Sequence, residues 1–184
     1  MLPTIVVLGA LAVLGIWVIA IYNGLQRRRI AASAAWADID VQLKRRYDLI
    51  PNLVETVKGY AGHERQTLES VVKARQQAID ASGVRDQARA ENVLTGALRQ
   101  LFALAESYPN LKANENFMQL QEELTSTENK IGFARQHYND SAGQYNQAMA
   151  VFPSNMIAGM FNFRPLEFFE LEDEAQRQAP KVAF

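Results

Sequence analysis

The sequence predicts an all-α protein in which one N-terminal transmembrane helix precedes an antiparallel bundle of about four helices with long heptad-like seams. Residues 3–22 carry no charge, and apolar residues recur at intervals of three and four along the later segments. No segment alternates with period two for long enough to form a sheet. The predicted divisions are an anchor with a basic flank at 1–29, a helical bundle at 30–152, an aromatic C-terminal segment at 153–171 and an acidic, polar tail at 172–184.

Residues 3–22 form the predicted membrane anchor. A helix of this length spans about 30 Å, the thickness of the hydrocarbon core of a bilayer. A cleaved signal peptide would have a charged start and a shorter apolar run, and a buried core helix would have a polar face. Arg27, Arg28 and Arg29 follow the span and are predicted to lie at the membrane interface. Basic residues stay on the cytoplasmic side, so we expect the N-terminus outside and the soluble domain in the cytoplasm.

The composition limits the class of partner and the redox chemistry. Lys and Arg total 19 against 20 Asp and Glu, so nucleic acid is not an expected partner. The chain has no cysteine, which excludes disulfides, zinc-thiolate sites and a cysteine nucleophile. The bilayer is the first expected partner.

The first helix of the bundle has an apolar seam with spacings of three and four. Its members are Trp36, Ile39, Leu43, Tyr47, Ile50, Val54, Val57 and Ala61. Pro51 interrupts the seam and is predicted to kink the helix or to begin a new one, because proline has no amide donor. We expect this helix to continue the membrane helix through residues 23–29. Lys44, Arg45 and Arg46 are interpreted as a solvated face.

Three further helices follow the predicted turn at residues 62–63. The second has its predicted apolar face at Leu68, Val71, Val72, Arg75, Ala78 and Ile79. The third covers about 85–107 and is stopped by residues 108–110. The fourth is the most regular, with seam positions Phe117, Leu120, Leu124, Thr127, Ile131, Ala134, Tyr138, Ser141, Tyr145, Ala148 and Phe152. Pro153 could begin a short helix, and the aromatic segment after it is expected to fold back and cap the bundle. An exposed patch in this segment would instead mark a contact with a protein or a membrane.

No arrangement of residues typical of catalysis is present in the sequence. The two histidines, His63 and His137, belong to no HExxH or Glu-x-x-His motif. There is no phosphate-binding glycine loop. The sequence therefore predicts a protein that is not an enzyme and that has no catalytic residue, no cofactor and no metal site.

Several residues are candidates for interaction with other molecules. They are Asp48, Pro51, Asn52, Glu55, Tyr138, Asn139, Tyr145, Asn146, Phe161 and Phe163. Two Tyr-Asn pairs repeat at seven residues, which places both on one helix face. Polar side chains at such positions either form interhelical hydrogen bonds that set register, or they line a binding groove between the first and fourth helices.

Four segments resemble the LemA family. They are YNGLQRRR at 22–29, AWADIDVQLKRRYDLIPNLVETVKGYAGHE at 35–64, YPNLKANENFMQLQEELTSTENKIGFARQHYNDSAGQYN at 108–146 and FPSNMIAGMFNFRPLEFFE at 152–170. The resemblance implies a bacterial inner-membrane protein with a short outside N-terminus and a cytoplasmic bundle of four helices. It implies no particular activity.

Three functional hypotheses follow. The first is a membrane-anchored scaffold or adaptor of the cell envelope that self-associates as a homo-oligomer. The second is a signalling or quality-control adaptor that binds one protein client. The third is an unrecognised hydrolase, which would require carboxylates that converge in a pocket.

Overall fold

The structure, a computed structural model, describes residues 2–170, and all its regular elements are helices. They are α1 (Leu2–Ala61), α2 (Arg65–Asp80), α3 (Val84–Ala105), α4 (Pro109–Lys112), α5 (Glu115–Ala150) and α6 (Ser154–Met160). The described residues contain no strand, and the all-α prediction is confirmed. The predicted tail at 172–184 lies outside the described residues.

The long helix α1 joins the apolar N-terminal segment to the first bundle helix without a break. The expected continuity through residues 23–29 is therefore confirmed. Within the described chain, α1 is the one helix that is long and apolar enough to cross a membrane. The apolar residues of its first four turns are exposed, as those of a lipid-facing helix would be.

Pro51 lies inside α1, so the predicted start of a new helix at this residue is wrong. A proline at this position leaves the carbonyl oxygen of Tyr47, four residues earlier, without its helical amide donor. The Arg75 side chain of α2 supplies a substitute, since its Nε donates to the Tyr47 oxygen over 2.7 Å. A tertiary hydrogen bond thus replaces the missing helical one.

The described residues divide into two compact units. The first, here called the anchor unit, contains residues 2–39 and 134–168. The second, the bundle unit, contains residues 40–133 and 169–170. The helices α1 and α5 each contribute one part to each unit.

The bundle unit is built around an aliphatic core. Its buried members are Ile50, Leu53, Val54, Val57, Ala61, Leu68, Val71, Ala74, Ala78, Leu94, Ala97, Leu98, Leu101, Ala105, Leu111, Phe117 and Leu124. The neighbouring helices α2 and α3 pack against each other across a turn in which Gly83 has a φ of +84°. On α2 the prediction was wrong at Val72 and Ile79, which are exposed. Both lie at the edge of the buried stripe of α2. Ala74, which the predicted apolar face did not include, is buried.

Helix α5 begins at a capped N-terminus and ends before its predicted last seam position. The Asn114 side chain accepts a hydrogen bond from the Phe117 amide over 3.0 Å, which is the usual bond of a helix N-cap. The helix ends at Ala150, so Phe152 lies beyond it and is exposed, contrary to prediction. The third helix ends at Ala105, before residues 108–110 as predicted, and Pro109 then opens the single turn α4, where a missing amide costs nothing.

The short helix α6 ends in a Schellman motif that redirects the chain. Asn162 adopts a left-handed conformation with a φ of 55°, which asparagine tolerates better than most residues. The Phe163 amide donates to the Ala158 carbonyl over 2.9 Å, and the Asn162 amide donates to the Gly159 carbonyl over 3.3 Å. The chain then leaves α6 as an irregular segment.

Candidate functional site

In the anchor unit, three side chains of α5 hold the backbone of residues 164–167. The Tyr138 hydroxyl donates to the Glu167 carbonyl over 2.8 Å, and the Tyr145 hydroxyl donates to the Arg164 carbonyl over 3.0 Å. Asn146 makes two bonds to Leu166, donating to its carbonyl over 2.9 Å and accepting from its amide over 2.8 Å. These bonds satisfy a backbone that has no helical or strand partner.

Aromatic rings connect the same segment to α1. Tyr22 meets Phe161 and Phe163 edge to face, with ring centroids 4.9 and 5.4 Å apart. Phe163 also lies 6.5 Å from the Tyr145 ring, measured between centroids. Offset and edge-to-face pairs at these distances are favourable beyond the area they bury. The segment after α6 is therefore fixed by both helices of this unit.

Burial determines the protonation of the two tyrosines. It raises the pKa of Tyr138, and the nearby Glu167 carboxylate raises it further. Burial also raises the pKa of Tyr145, against the opposing charge of Arg29. Both phenols stay protonated at neutral pH and keep the hydrogen that each donates.

The seven-residue repeat of Tyr-Asn pairs has an unexpected role in the structure. Tyr138 and Tyr145 are buried, and Asn139 and Asn146 are half-buried. The hydrogen bonds of Tyr138, Tyr145 and Asn146 described above run to the chain's own C-terminal segment and not between helices. Residues 164–167 thus occupy the hydrogen-bonding groups of these three side chains, and the role of this face in binding another molecule stays a prediction.

A cavity of about 580 Å³ lies between α1 and the end of α5 within the anchor unit. Its α1 wall includes Trp17, Ile21 and Arg28, and its opposite wall includes Val151 and Ser154. The Arg28 side chain bends toward the apolar end of α1 and donates to the Gly24 carbonyl over 3.3 Å. The cavity is thus apolar at the end next to the predicted span and cationic at the other end.

The bundle unit contains a buried polar network that sequence reasoning missed. Arg46 pairs with Glu91 over 3.3 Å and with Glu128 over 3.0 Å, and it donates to the Thr95 hydroxyl over 2.7 Å. Arg46 and Glu91 are each only 2% exposed. Charges this deep require partners, because an isolated buried ion is strongly unfavourable.

Two further side chains, those of Tyr47 and Gln87, form hydrogen bonds with the Glu91 carboxylate. Both donate to its Oε1 oxygen, Gln87 over 2.9 Å, and Gln87 also donates to the Ala78 carbonyl over 3.0 Å. Burial raises the pKa of Glu91, although the bond from Tyr47 and the charge of Arg46 oppose that change. Burial and the neighbouring Glu91 also raise the pKa of Tyr47. The network ties α1, α2, α3 and α5 together within this unit.

The prediction of a solvated Lys44–Arg46 face is wrong for Arg46. Lys44 is exposed and pairs with Asp48 over 3.5 Å, as expected of a solvated face. Arg46 instead lies on the buried stripe, between Leu43 and Ile50 at helical spacing. A similar signal marks Glu91, which extends the apolar seam of Leu94 and Leu98 by one turn.

The interaction candidates around Pro51 lie at the surface. Asp48, Pro51, Asn52 and Glu55 are all exposed. Glu55 pairs with Lys58 over 3.4 Å. These four residues line neither of the two cavities described in this section, and their role in binding stays a prediction. Arg27, Arg28 and Arg29 are exposed as well.

Neither histidine has the surroundings of a catalytic or metal site. His63 and His137 are exposed. Over residues 2–170, no cluster of three or more His, Asp or Glu side chains could hold a metal ion.

A second cavity, of about 280 Å³, lies beside Arg46 and is lined by Phe102, Leu124 and Glu128 among others.

Comparison with known proteins identifies the family. The family model described as "LemA family" matches residues 35–184, which is more than half of the chain. The chain belongs to the LemA family. The match covers the part of α1 after the predicted anchor and every later helix.

Three relatives extend the comparison. Magnetosome protein MamQ of Magnetospirillum gryphiswaldense is 22% identical, over 80% of this chain and 64% of its own length. Magnetosome protein MamQ 2 of Paramagnetospirillum magneticum is also 22% identical, over 81% and 64%. Protein LemA of Metamycoplasma hominis is 24% identical, over 82% and 69%. The chain therefore spans less than two thirds of the length of the magnetosome proteins that it matches.

Proposed function

We propose that this LemA-family chain is a membrane-anchored scaffold or adaptor of the bacterial cell envelope, that it self-associates, and that it acts without catalysis. The observation that supports the proposal best is the continuity of α1, which is one helix from Leu2 to Ala61. The apolar part and the first bundle helix therefore follow each other along one helix, with no irregular linker between them in the sequence.

The exposed apolar residues of the span supply a surface for self-association. Gly9, Ala12 and Gly15 have no bulky side chain, and an added Cβ at either glycine would meet open space. Small residues let helices approach closely in a bilayer, where dispersion contacts drive association. The bundle unit offers a second surface on one face of α5, where Met118 and Phe133 are exposed, Phe133 by 74%.

Cross-linking of the full chain in native membranes tests self-association. The sequence has no cysteine, so single cysteines can be placed at successive positions from Val6 to Ile16 and oxidised. A packed interface would give cross-linked dimers that recur every three to four positions. The full chain is essential, because a truncation at residue 30 would remove Tyr22 and Leu25 from the packing of the anchor unit.

The outcomes separate the two leading hypotheses. Periodic cross-links, with a defined oligomer in a gentle detergent, would support the scaffold. A monomer with no cross-link at any position would contradict self-association and favour a client-binding adaptor. The client surface would then be sought at Met118 and Phe133, with Asn52 and Glu55 as the competing pair.

The orientation is part of the same proposal, with the N-terminus outside and the bundle in the cytoplasm. Arg27–Arg29 support it, because basic residues that flank a span stay on the cytoplasmic side. A membrane-impermeant maleimide should label Leu2→Cys, which precedes the predicted span, in intact cells and Asp48→Cys only after permeabilisation. The reverse pattern would contradict the proposed orientation.

A further inference from the structure

The region from Val151 to Phe161 exposes an unusual amount of apolar surface. Phe152 is 76% exposed and Met160 is 71% exposed. Val151, Met156 and Phe161 are exposed as well. No charged residue occurs from Ser141 to Phe163. A continuous exposed apolar patch on a folded protein marks a contact with another protein or with a membrane.

The position of this patch along α1 identifies what covers it. Val151 and Ser154 line the same cavity as Trp17, Ala20 and Ile21, which belong to the uncharged run at 3–22. Phe161 packs against Tyr22 at the end of that run. Any bilayer that surrounds the span therefore reaches the depth of α6, and the patch continues the lipid-facing surface of α1.

The backbone of the region is suited to a lipid environment. In lipid, every amide and carbonyl group must find a partner inside the protein. The Asn155 amide donates to the Val151 carbonyl over 2.9 Å, and Pro153 has no amide to satisfy. The Schellman motif pairs the amides that follow α6. The turns on both sides of α6 therefore contain internal backbone hydrogen bonds beside the exposed apolar side chains.

Basic residues border the patch on the side away from the span. Arg28 lines the cavity, and Arg164 is the first charged residue after the patch. Guanidinium groups at this level can bind the phosphates of anionic lipids. Apolar groups below and cations above are typical of a segment that lies in the membrane interface.

We infer that the patch formed by Val151, Phe152, Met156, Met160 and Phe161 inserts into the interfacial region of the bilayer beside the span. It gives the chain a second membrane contact, which fixes the tilt and rotation of α1. This inference rests on the proposed membrane anchoring. The occupant of the patch is lipid, and neither a second copy of the chain nor a client protein covers it.

Single-cysteine labelling of the full chain tests the inference. An environment-sensitive fluorophore is attached to the cysteine of Met156→Cys or of Met160→Cys. Each labelled protein is then reconstituted into vesicles of phosphatidylethanolamine and phosphatidylglycerol. Both residues are exposed, so the label leaves the core intact. Gln136→Cys is the matched control, because it is exposed on α5 about 22 Å further from the span. Leu11→Cys reports on the anchor itself.

We expect emission at positions 156 and 160 to shift to the blue and to be quenched by spin-labelled lipid, whereas emission at position 136 is quenched by aqueous iodide. A label at 156 in water with a label at 11 in lipid would overturn the insertion and leave the anchoring intact. Labels at both 11 and 156 in water would overturn both. Protection of 156 from lipid and from iodide would mean that protein covers the patch, which also overturns the inference.

Discussion

The two units of the molecule differ in the side chains that pair with their buried polar groups. The anchor unit uses neutral side chains, since two tyrosines and one asparagine bind a backbone segment that has no regular partner. The bundle unit uses charges, since Arg46 and Glu91 lie in its interior with four further polar partners. The first arrangement attaches one segment to a helix, and the second holds four helices in register.

The difference predicts how each unit fails. A neutral hydrogen bond contributes modestly, and its loss is tolerated when water can enter. A buried ion that loses its partner has no such alternative. Substitutions in the network should therefore destabilise the bundle unit as a whole, whereas substitutions at the α5 tyrosines and asparagine should release only residues 161–168.

The largest effect is expected for Arg46→Ala. The change leaves Glu91 buried with an uncompensated charge, which costs about 3–5 kcal/mol of unfolding free energy. Circular dichroism of the full chain in detergent during urea unfolding measures it. Lys44→Ala is the control, because its ion pair with Asp48 is exposed and contributes at most about 0.5 kcal/mol. Equal effects of the two substitutions would contradict a structural role of the network.

Arg75→Ala should have the next largest effect, a loss of about 1–3 kcal/mol of unfolding free energy. The Tyr47 carbonyl, which Pro51 leaves without a helical donor, then loses its substitute donor as well. Pro51→Ala restores an amide at this position and should make Arg75 dispensable. In a double-mutant cycle measured by the same unfolding assay, we expect Arg75→Ala to cost much less in the Pro51→Ala background. Additive effects would show that Arg75 acts in some other way.

Asn146→Ala should cost about 1–2 kcal/mol by removing both bonds to Leu166. We expect faster hydrogen exchange at the Leu166 amide, while the amides of α2 and α3 keep their protection. Gln136→Ala, an exposed substitution on the same helix, is the control. Faster exchange throughout the chain would contradict the local role assigned to Asn146.

A smaller, pH-dependent effect is expected from Glu91. Burial raises its pKa above 4.5, so the folded state binds the proton more tightly than the unfolded chain. Its contribution to stability is therefore largest at low pH and is lost as the pH rises through the raised pKa. Relative to Glu91→Gln, the wild type should gain unfolding free energy as the pH falls through the raised pKa of Glu91. The charged and titratable neighbours of this group are the same in both proteins, namely Arg46, Tyr47 and Glu128. A wild type that loses unfolding free energy relative to Glu91→Gln as the pH falls would contradict a raised pKa of Glu91.

Local patterns predicted most of the helical architecture. The uncharged run predicted the anchor, the three-four spacing predicted the helices, and the turn at residues 62–63 predicted the break after α1. The same patterns left Pro51 open between a kink and a new helix, and they predicted the end of the third helix before Pro109 but not the turn α4 that begins there. Arg75 supplied a distant donor in one case, and a first-turn position made the missing amide harmless in the other.

The candidate sites were less accessible to prediction because they join distant parts of the chain. The Tyr-Asn repeat showed one polar face on α5, but its partners are backbone groups of residues 164–167, which have no side-chain signature. Arg46 and Glu91 occupy seam positions, and that signal was available in the sequence. The charge of Arg46 made an exposed interpretation more favourable, because charged residues are rarely buried without partners.

The sequence by itself determined that the chain is helical, where it can cross a membrane and which faces of its helices are apolar. These properties depend on residues close in sequence, through helical periodicity and the cost of placing charge in lipid. Only the tertiary structure decided that α1 runs unbroken through Pro51, that Arg46 is buried, and that the aromatic segment lies beside the end of the span. Each of these depends on a partner far away in the sequence, and local patterns do not encode such pairings.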